Sequence, residues 1–384
     1  MSTVPKQFEE RHPEPAKRKP GRSVASKDEY FSASQWKLIW WKFKKHKIAL
    51  IAIPLLLSLY FGAMFADFLS PALMGTRFAA YKFCPPQLIR IYDETEGFRA
   101  PFVYGVKGVL NEETYARTFV IDKSVTYPVK FFSRGEAYKL LGIFPTDIHL
   151  FTSEGPAFLL GTDQLGRDLY TRILYGSRIS LSIGLVGVFF TFFLGLLLGG
   201  ISGYFGGLID NLIQRMIDLI MSIPGIPLWM ALAASMPRDW PNIKVYLGIV
   251  IIMSFIGWTS LARVVRGKIL SLREEDFVIA ARISGAKSPR IIFKHLIPSF
   301  MSYIIVTLTL SIPGTIIGET ALSFLGLGLR APTVSWGVLL QQAQNIRTVA
   351  YQPWLLAPIA WIILTVLMFN FLGDGLRDAA DPYK

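Results

Sequence analysis

Six stretches of the chain are long and nearly free of charge, at residues 48–66, 179–204, 212–236, 245–265, 300–329 and 354–372. A helix rises ~1.5 Å per residue and a bilayer's hydrocarbon core is ~30 Å thick, so runs of this length can cross a membrane. The pattern predicts an all-α membrane protein with six transmembrane helices, the first over 48–68. Pro54 inside that run would break a soluble helix but is tolerated in a membrane one. Between the first and second runs, charges of both signs return and segments 118–121 and 127–132 read as short strands. A small mixed or β-rich insertion is therefore expected over 69–160. Residues 161–178 read as an amphipathic helix in the membrane interface, with Leu169, Ile173 and Leu174 on the apolar side and Arg167, Asp168 and Arg172 on the polar side. Residues 1–47 are rich in Pro, Lys and Arg, and their first part is expected to be disordered. Residues 179–377 form the expected membrane core, and 378–384 a short polar end. No fixed-period repeat is visible.

Composition strengthens the membrane reading: 52% of the residues are hydrophobic and 17% charged, with mean hydropathy +0.41, against ~25% charged in a soluble domain. The net charge of +13 would suit a nucleic-acid binder if it formed one surface, but it is distributed between the apolar runs. Residues 1–47 hold 12 basic and 5 acidic side chains, residues 262–297 hold 8 and 3, and the longer segment 69–178 holds 13 and 11. Short basic loops stay on the cytoplasmic side, so both termini and the 266–298 loop are expected inside and the insertion outside. The amino terminus lacks a short basic region followed by a small-residue cleavage site, so the first span is expected to be retained. Cys84 is the only cysteine, which excludes an intrachain disulfide and a cysteine-based zinc cluster.

The most informative stretch is 271–298. Ser271 with Glu274 three residues on predicts a capping box, with Glu275 and Asp276 in the first turn where the helix dipole favours acids. Gly285 can take the left-handed conformation that ends a helix, and Ser288-Pro289 predicts an N-cap followed by proline at the first helical position. Phe277, Ala280, Ala281 and Ser284 recur at helical spacing, giving a face of small residues with an aromatic at its edge. Another protein can approach such a face closely; the plainer reading is an ordinary connection on the lipid surface.

This loop resembles the signature of the permease subunits of ATP-binding-cassette importers: E-A-A, three residues, Gly, nine residues, then I-x-L-P. Ala280-Ala281, Gly285 and Pro298 fall at the required spacing. Ile279 stands where the family has glutamate, and His295 and Ile297 stand at the I and L positions, which the looser peptide-permease form accommodates. The resemblance implies a type I importer fold, and a loop in which Glu275, Phe277, Ala280, Ala281, Ser284, Gly285, Ala286 and Pro298 serve as the coupling helix for an ATPase subunit. A second segment, 160–168 with Arg172, Tyr175-Gly176, Arg178 and Ser180, is similar to the G-T-D-x-x-G-R-D stretch of the C-type permeases for dipeptides, oligopeptides and nickel. Further matches are 203–207 with Asp210, Ser222-Ile223-Pro224, 322–328 with Trp336-Gly337, and 373–378 with Asp381-Pro382. Together they span 160–382.

Within the spans, Gly195, Gly199 and Gly203 recur every four residues, a spacing that lets membrane helices approach closely, although glycine can also be incidental in lipid. Pro224 and Pro227 should interrupt the third span, as a bend lining the pathway or as a packing kink. Glu319 is expected near the outer end of the fifth span, either as an interfacial residue touching water or as part of the pathway or a gate. Asp218 is expected to pair with Arg215 one turn earlier.

The leading expectation is a non-enzymatic permease subunit in the cell inner membrane. By the resemblance, its partners are a homologous second permease subunit, two ABC ATPase subunits that bind ATP and Mg, an extracytoplasmic solute-binding protein and membrane lipid, with no nucleic acid. The chain contains no P-loop and carries no expected cofactor or metal of its own. Peptides are the expected solute class, with nickel or oligosaccharides as alternatives. Two other classes compete: a membrane-anchored enzyme or recognition protein acting through 69–160, and an ion-driven carrier, which would ordinarily place several charges at mid-membrane.

Overall fold

A computed structural model describes residues 34–93, 97–110, 117–237 and 239–381. The tail expected to be disordered and the last three residues lie outside the described residues. Helix α1 spans Gln35–Phe43, α2 Lys47–Met64 and α3 Ala66–Leu69. Four antiparallel strands follow, β1 Arg90–Asp93, β2 Gly97–Leu110, β3 Arg117–Leu140 and β4 Phe144–Ser153, in the order β1-β2-β3-β4. β3 serves two neighbours in turn: its first half pairs with β2 up to Pro128 opposite Phe102, and its second half with β4 from Val129 opposite Ser153. The insertion is thus β-rich, with strands much longer than 118–121 and 127–132.

The helical part continues with α4 Leu169–Phe205, α5 Gly207–Met221, α6 Gly225–Ala234 and α7 Asn242–Leu272. After them come α8 Asp276–Ile283, α9 Ser288–Arg290, a π-helical stretch Ile291–Leu296, and α10 Ile297–Ser299. The chain ends with α11 Met301–Phe324, α12 Trp336–Gln341, α13 Ile346–Tyr351 and α14 Pro358–Ala380. Among the described residues, five helices are long and apolar enough to cross a membrane, and α5 with α6 makes a sixth crossing if that bent pair counts as one.

Two expectations need correction. The segment 161–178 is not a separate interfacial helix: α4 begins at Leu169 and runs unbroken for 37 residues. Its first turns are buried in the bundle, where Leu169, Arg172 and Ile173 are at most 1% exposed. The third span is also more than kinked, because α5 and α6 meet at 85°. Pro224 caps α6 at that elbow, where its ring cannot continue the hydrogen-bond ladder of α5.

The bundle is held by close helix approach. A Cβ on Gly199 would sit 2.6 Å from the Ala262 carbonyl oxygen and one on Gly203 2.9 Å from that of Arg266, so α4 meets the backbone of α7 directly. Gly195 meets the Leu261 side chain instead, at 2.6 Å. The four-residue glycine spacing is therefore a packing seam. The sheet joins the bundle at one end, where α2 and α3 finish and α4 starts; the α8 loop occupies the opposite end.

Candidate functional site

At the loop end, α7 extends through Leu272, so Ser271 lies inside a helix and its hydroxyl donates to the Lys268 carbonyl (2.9 Å). The expected capping box is absent for that reason. α8 starts after Glu275, whose carbonyl accepts the Val278 N–H (2.9 Å). Its end is as expected. Gly285 has φ +78°, the Ala286 N–H donates to the Ala281 carbonyl (3.1 Å), and the Gly285 N–H donates to that of Arg282 (3.0 Å). These two bonds define a Schellman motif, which requires the left-handed residue. Ser288 opens α9 inside the helix, with Lys287 as its cap and Pro289 one place further in than expected.

The loop is anchored on one side and open on the other. Val278 is fully buried, and Ala281 and Ala286 pack against a cluster of Leu196 from α4, Leu261, Val265 and Ile269 from α7, and Ile291, Ile292 and Leu296. Arg282 lies over the Tyr204 ring of α4 at 5.9 Å. The open side displays Phe277 (43% exposed), Ile279 (42%) and Ile283 (82%), with Ala280, Ser284 and Gly285 also exposed. Of the expected face, Ala281 turns inward and joins the anchor. Ile279 and Ile283 were missed; they share the helical spacing of the exposed residues, a signal masked by reading the loop through its small side chains. Glu275 and Pro298 are both exposed.

Beside this loop, Asp210 near the start of α5 takes a bidentate pair from Arg266 of α7, Nε to Oδ1 and Nη2 to Oδ2, both 2.5 Å. The Ser202 hydroxyl of α4 donates to the same carboxylate (2.5 Å). Three helices thus converge on one charge. Asp218 pairs with Arg263 of α7 (2.5 Å), not with Arg215, a partner 45 positions away that local spacing could not reveal.

At the sheet end, the 160–168 motif forms a buried knot. Gly161 and Gly166 have φ +76° and +73°, and a Cβ on either would strike backbone, the Cys84 and Phe78 carbonyl oxygens respectively. The Thr162 hydroxyl donates to the Tyr81 carbonyl and accepts the Cys84 N–H (2.8 Å). Asp163, fully buried, accepts from the Leu165 and Arg167 N–H groups (2.8 and 3.0 Å) and from the Arg167 side chain, and pairs with buried Arg172. Burial works to raise the Asp163 pKa, but the two arginines and the backbone donors override it and hold it below the ordinary carboxylate value. Arg172 is therefore an interior partner, not the polar face of an interfacial helix. Burial pushes the Asp168 pKa up to about 6, against donation from Thr171.

Glu319 is fully buried in α11 and touches no water-facing surface. It accepts from the hydroxyls of Ser323 (2.8 Å) and Ser180 of α4 (3.2 Å), and the Ser180 oxygen accepts the Trp336 N–H (3.1 Å). The interfacial reading fails because α12 covers the carboxylate, and what Glu319 holds together is α4, α11 and α12. Pro224 is exposed at the α5–α6 elbow.

The chain matches models of a transport family. Residues 195–383 match the binding-protein-dependent transport system inner membrane component, and residues 34–86 match the N-terminal TM domain of oligopeptide transport permease C. The oligopeptide transport system permease protein OppC of Bacillus subtilis is 40% identical over 223 residues, 58% of this chain and 70% of that protein. The dipeptide transport system permease protein DppC of the same organism is 41% identical over 224 residues, 58% and 68% respectively. A solved methionine ABC transporter, MetNI, in an inward-facing conformation aligns with 54% of this chain and 95% of its own at TM-score 0.43 and 18% identity. The chain belongs to the inner-membrane permease family of binding-protein-dependent transport systems. Within it, the chain groups with the C-type permeases of peptide transport systems.

Proposed function

We propose that this chain is one membrane subunit of an ATP-driven importer of dipeptides or oligopeptides. The observation that carries the reading is the α8 loop, which offers Phe277, Ile279, Ala280 and Ile283 outward while Val278, Ala281 and Ala286 root it in α4 and α7. A partner gripping the open side pulls on two spanning helices at once. That partner is an ABC ATPase subunit, one of two, each binding ATP and Mg. A homologous second permease subunit completes the pathway, and an extracytoplasmic solute-binding protein delivers the peptide. The basic content of 1–47 and 262–297 supports a cytoplasmic loop end and cytoplasmic termini in an inner-membrane protein. Peptide as solute rests on the names of the relatives and on the motif matches. The chemistry on this chain is mechanical: α8 is pushed when the ATPase pair closes, and the helices rock between inward-open and outward-open arrangements.

The test is Ile283→Asp beside a deletion of 272–289. Ile283 is mostly exposed, so the point variant should insert and fold normally while co-purifying at least tenfold less ATPase subunit and losing peptide uptake. The deletion should abolish uptake with membrane insertion intact. Uptake at the native rate in either variant would refute the coupling role.

A further inference from the structure

The hairpin of β3 and β4 ends in a turn that shows water a cluster of large apolar side chains. Leu141 (45% exposed), Ile143 (70%) and Phe144 (62%) sit within four residues, and Phe131 (54%) and Phe132 (69%) lie further down the same hairpin. The turn is ordered: the Gly142 N–H donates to the Lys139 carbonyl (2.9 Å) and the Ile143 N–H to that of Leu140 (3.1 Å). Leu141 holds φ +54°, a conformation that side chains other than glycine seldom adopt. A strained turn that keeps leucine outward is poor design for a solvated loop.

Its position says what covers it. Arg178 of α4 donates to the Ala63 carbonyl (2.7 Å) and pairs with Asp67 (2.5 Å), which fixes the relative height of α4 and the end of α2. Tyr170 lies eight residues before Arg178, ~12 Å along the helix, and its ring faces Phe151 of β4 at 6.1 Å. His149 of β4 meets the Ser70 carbonyl just past α3 (2.6 Å). β4 is therefore pinned at two points, the first turn of α4 and the residue after α3, and Glu136 of β3 ties the same hairpin to the segment that leaves α3 by accepting from the Leu73 N–H (2.9 Å) and the Thr76 hydroxyl (2.6 Å). Ile143 is six residues past His149 on the side away from α4, ~20 Å at strand rise. The turn thus lies beyond these anchor points, on the side of the hairpin away from α4. α2 has a lipid-facing flank, with Leu57 63%, Phe61 55% and Met64 48% exposed. An aromatic series continues from it onto the hairpin: Phe61 and Phe65 stack at 4.4 Å, and Phe68 meets Phe132 at 6.2 Å.

We propose that the β3–β4 turn is a membrane anchor, with Leu141, Ile143 and Phe144 dipping into the lipid interface on the sheet's side of the bilayer. Lys139 and Arg134 stand exposed on the same hairpin, Arg134 with Asp147 at 3.8 Å, and supply cations that an anionic headgroup can meet. The surface is continuous with the lipid-facing flank of α2, and amphipathic segments of this kind seat their apolar side ~5–10 Å into the headgroup boundary.

Because Cys84 is the sole cysteine of this chain and is fully buried, Ile143→Cys adds its one accessible thiol, and in a transporter whose partner subunits carry no reactive cysteine it can be labelled at one place with an environment-sensitive fluorophore. Val120→Cys, on the other half of β3 and 57% exposed, serves as the reference. In bilayer vesicles, lipids carrying a spin label high on the acyl chain should quench the Ile143 probe at least twofold more than the Val120 probe, and aqueous iodide should do the reverse. Equal quenching of both probes by iodide overturns the anchor. So does iodide protection of Ile143 without spin-label quenching, or protection that appears only when a solute-binding protein is added, since either means a protein covers the turn.

Discussion

Asp163 and Arg172 show how much one buried charge pair can decide. Both side chains are at most 1% exposed, and Arg172 Nε has no partner, so Asp163 is its main compensation. Removing one member of such a pair leaves the other uncompensated, which costs more than the pair itself contributes. Asp163→Asn should lower the unfolding free energy of the purified complex by about 3 kcal/mol, seen as a fall in Tm. Asp163→Asn with Arg172→Met should recover part of that loss. Asp168, one turn away, responds to pH. Its folded pKa of about 6 lies above the ordinary 3.8, so the folded chain holds a proton that the unfolded chain has released. The stability from this group is complete below about pH 4 and is lost as pH rises to 6. Asp168→Asn cannot ionise, and its amide can replace the oxygen that lacks a partner. Between pH 4.5 and 7.5 it should gain about 2 kcal/mol on the native chain, measured by thermal unfolding at each pH. The residue types around this knot are plain in the sequence, but that Arg172 faces inward is not: a helix with Leu169 and Ile173 on one side looks the same at a lipid interface and in a protein interior.

At the scale of elements, the spans were legible because charge-free runs are long and their helical repeat is unambiguous. The continuity of α4 was hidden, since the charges at 163–178 read as a boundary when their partners lie inside the fold. The elbow between α5 and α6 was visible as Pro224 and Pro227, but not its 85° angle, which tertiary packing sets. Gly285 ends α8 as its neighbours foretold, because the Schellman bonds are local. Helix contact at the glycine seam gives a prediction of its own. Gly195 faces the Leu261 side chain, which can be trimmed, whereas Gly199 faces the Ala262 backbone, which cannot. Gly195→Ala and Gly199→Ala should each cost about 1–3 kcal/mol through overpacking. Leu261→Ala removes the Cδ2 and Cγ contacts but keeps Cβ, 2.8 Å from the added methyl, and empties a buried site. In a double-mutant cycle read from Tm, with Leu261→Ala alone as the reference, it should therefore relieve part of the Gly195→Ala loss and none of the Gly199→Ala loss, and equal coupling at both positions would show that the helices simply separate.

Across the whole molecule, the loop and the elbow are joined by a short series of contacts. α8 is rooted in α4 and α7, Arg266 of α7 grips Asp210 of α5, and α5 leads to the break at Pro224. A load on α8 that shifts α7 carries α5 with it only while that bidentate pair holds, since a fork of two short charged bonds transmits direction as well as force. A contact series is spatial until a coupling energy is measured. Asp210→Asn keeps the size and the Ser202 contact but removes the charge. The assembled transporter should then hydrolyse ATP at close to the native rate while moving about tenfold less peptide per ATP, a coupling loss of ~1.4 kcal/mol. Asp210→Arg with Arg266→Asp restores an ion pair in the opposite sense and should recover part of the ratio, whereas each single change alone should not. If ATP hydrolysis and uptake fall together, the pair serves assembly; if neither changes, force reaches the elbow through the α4 seam alone.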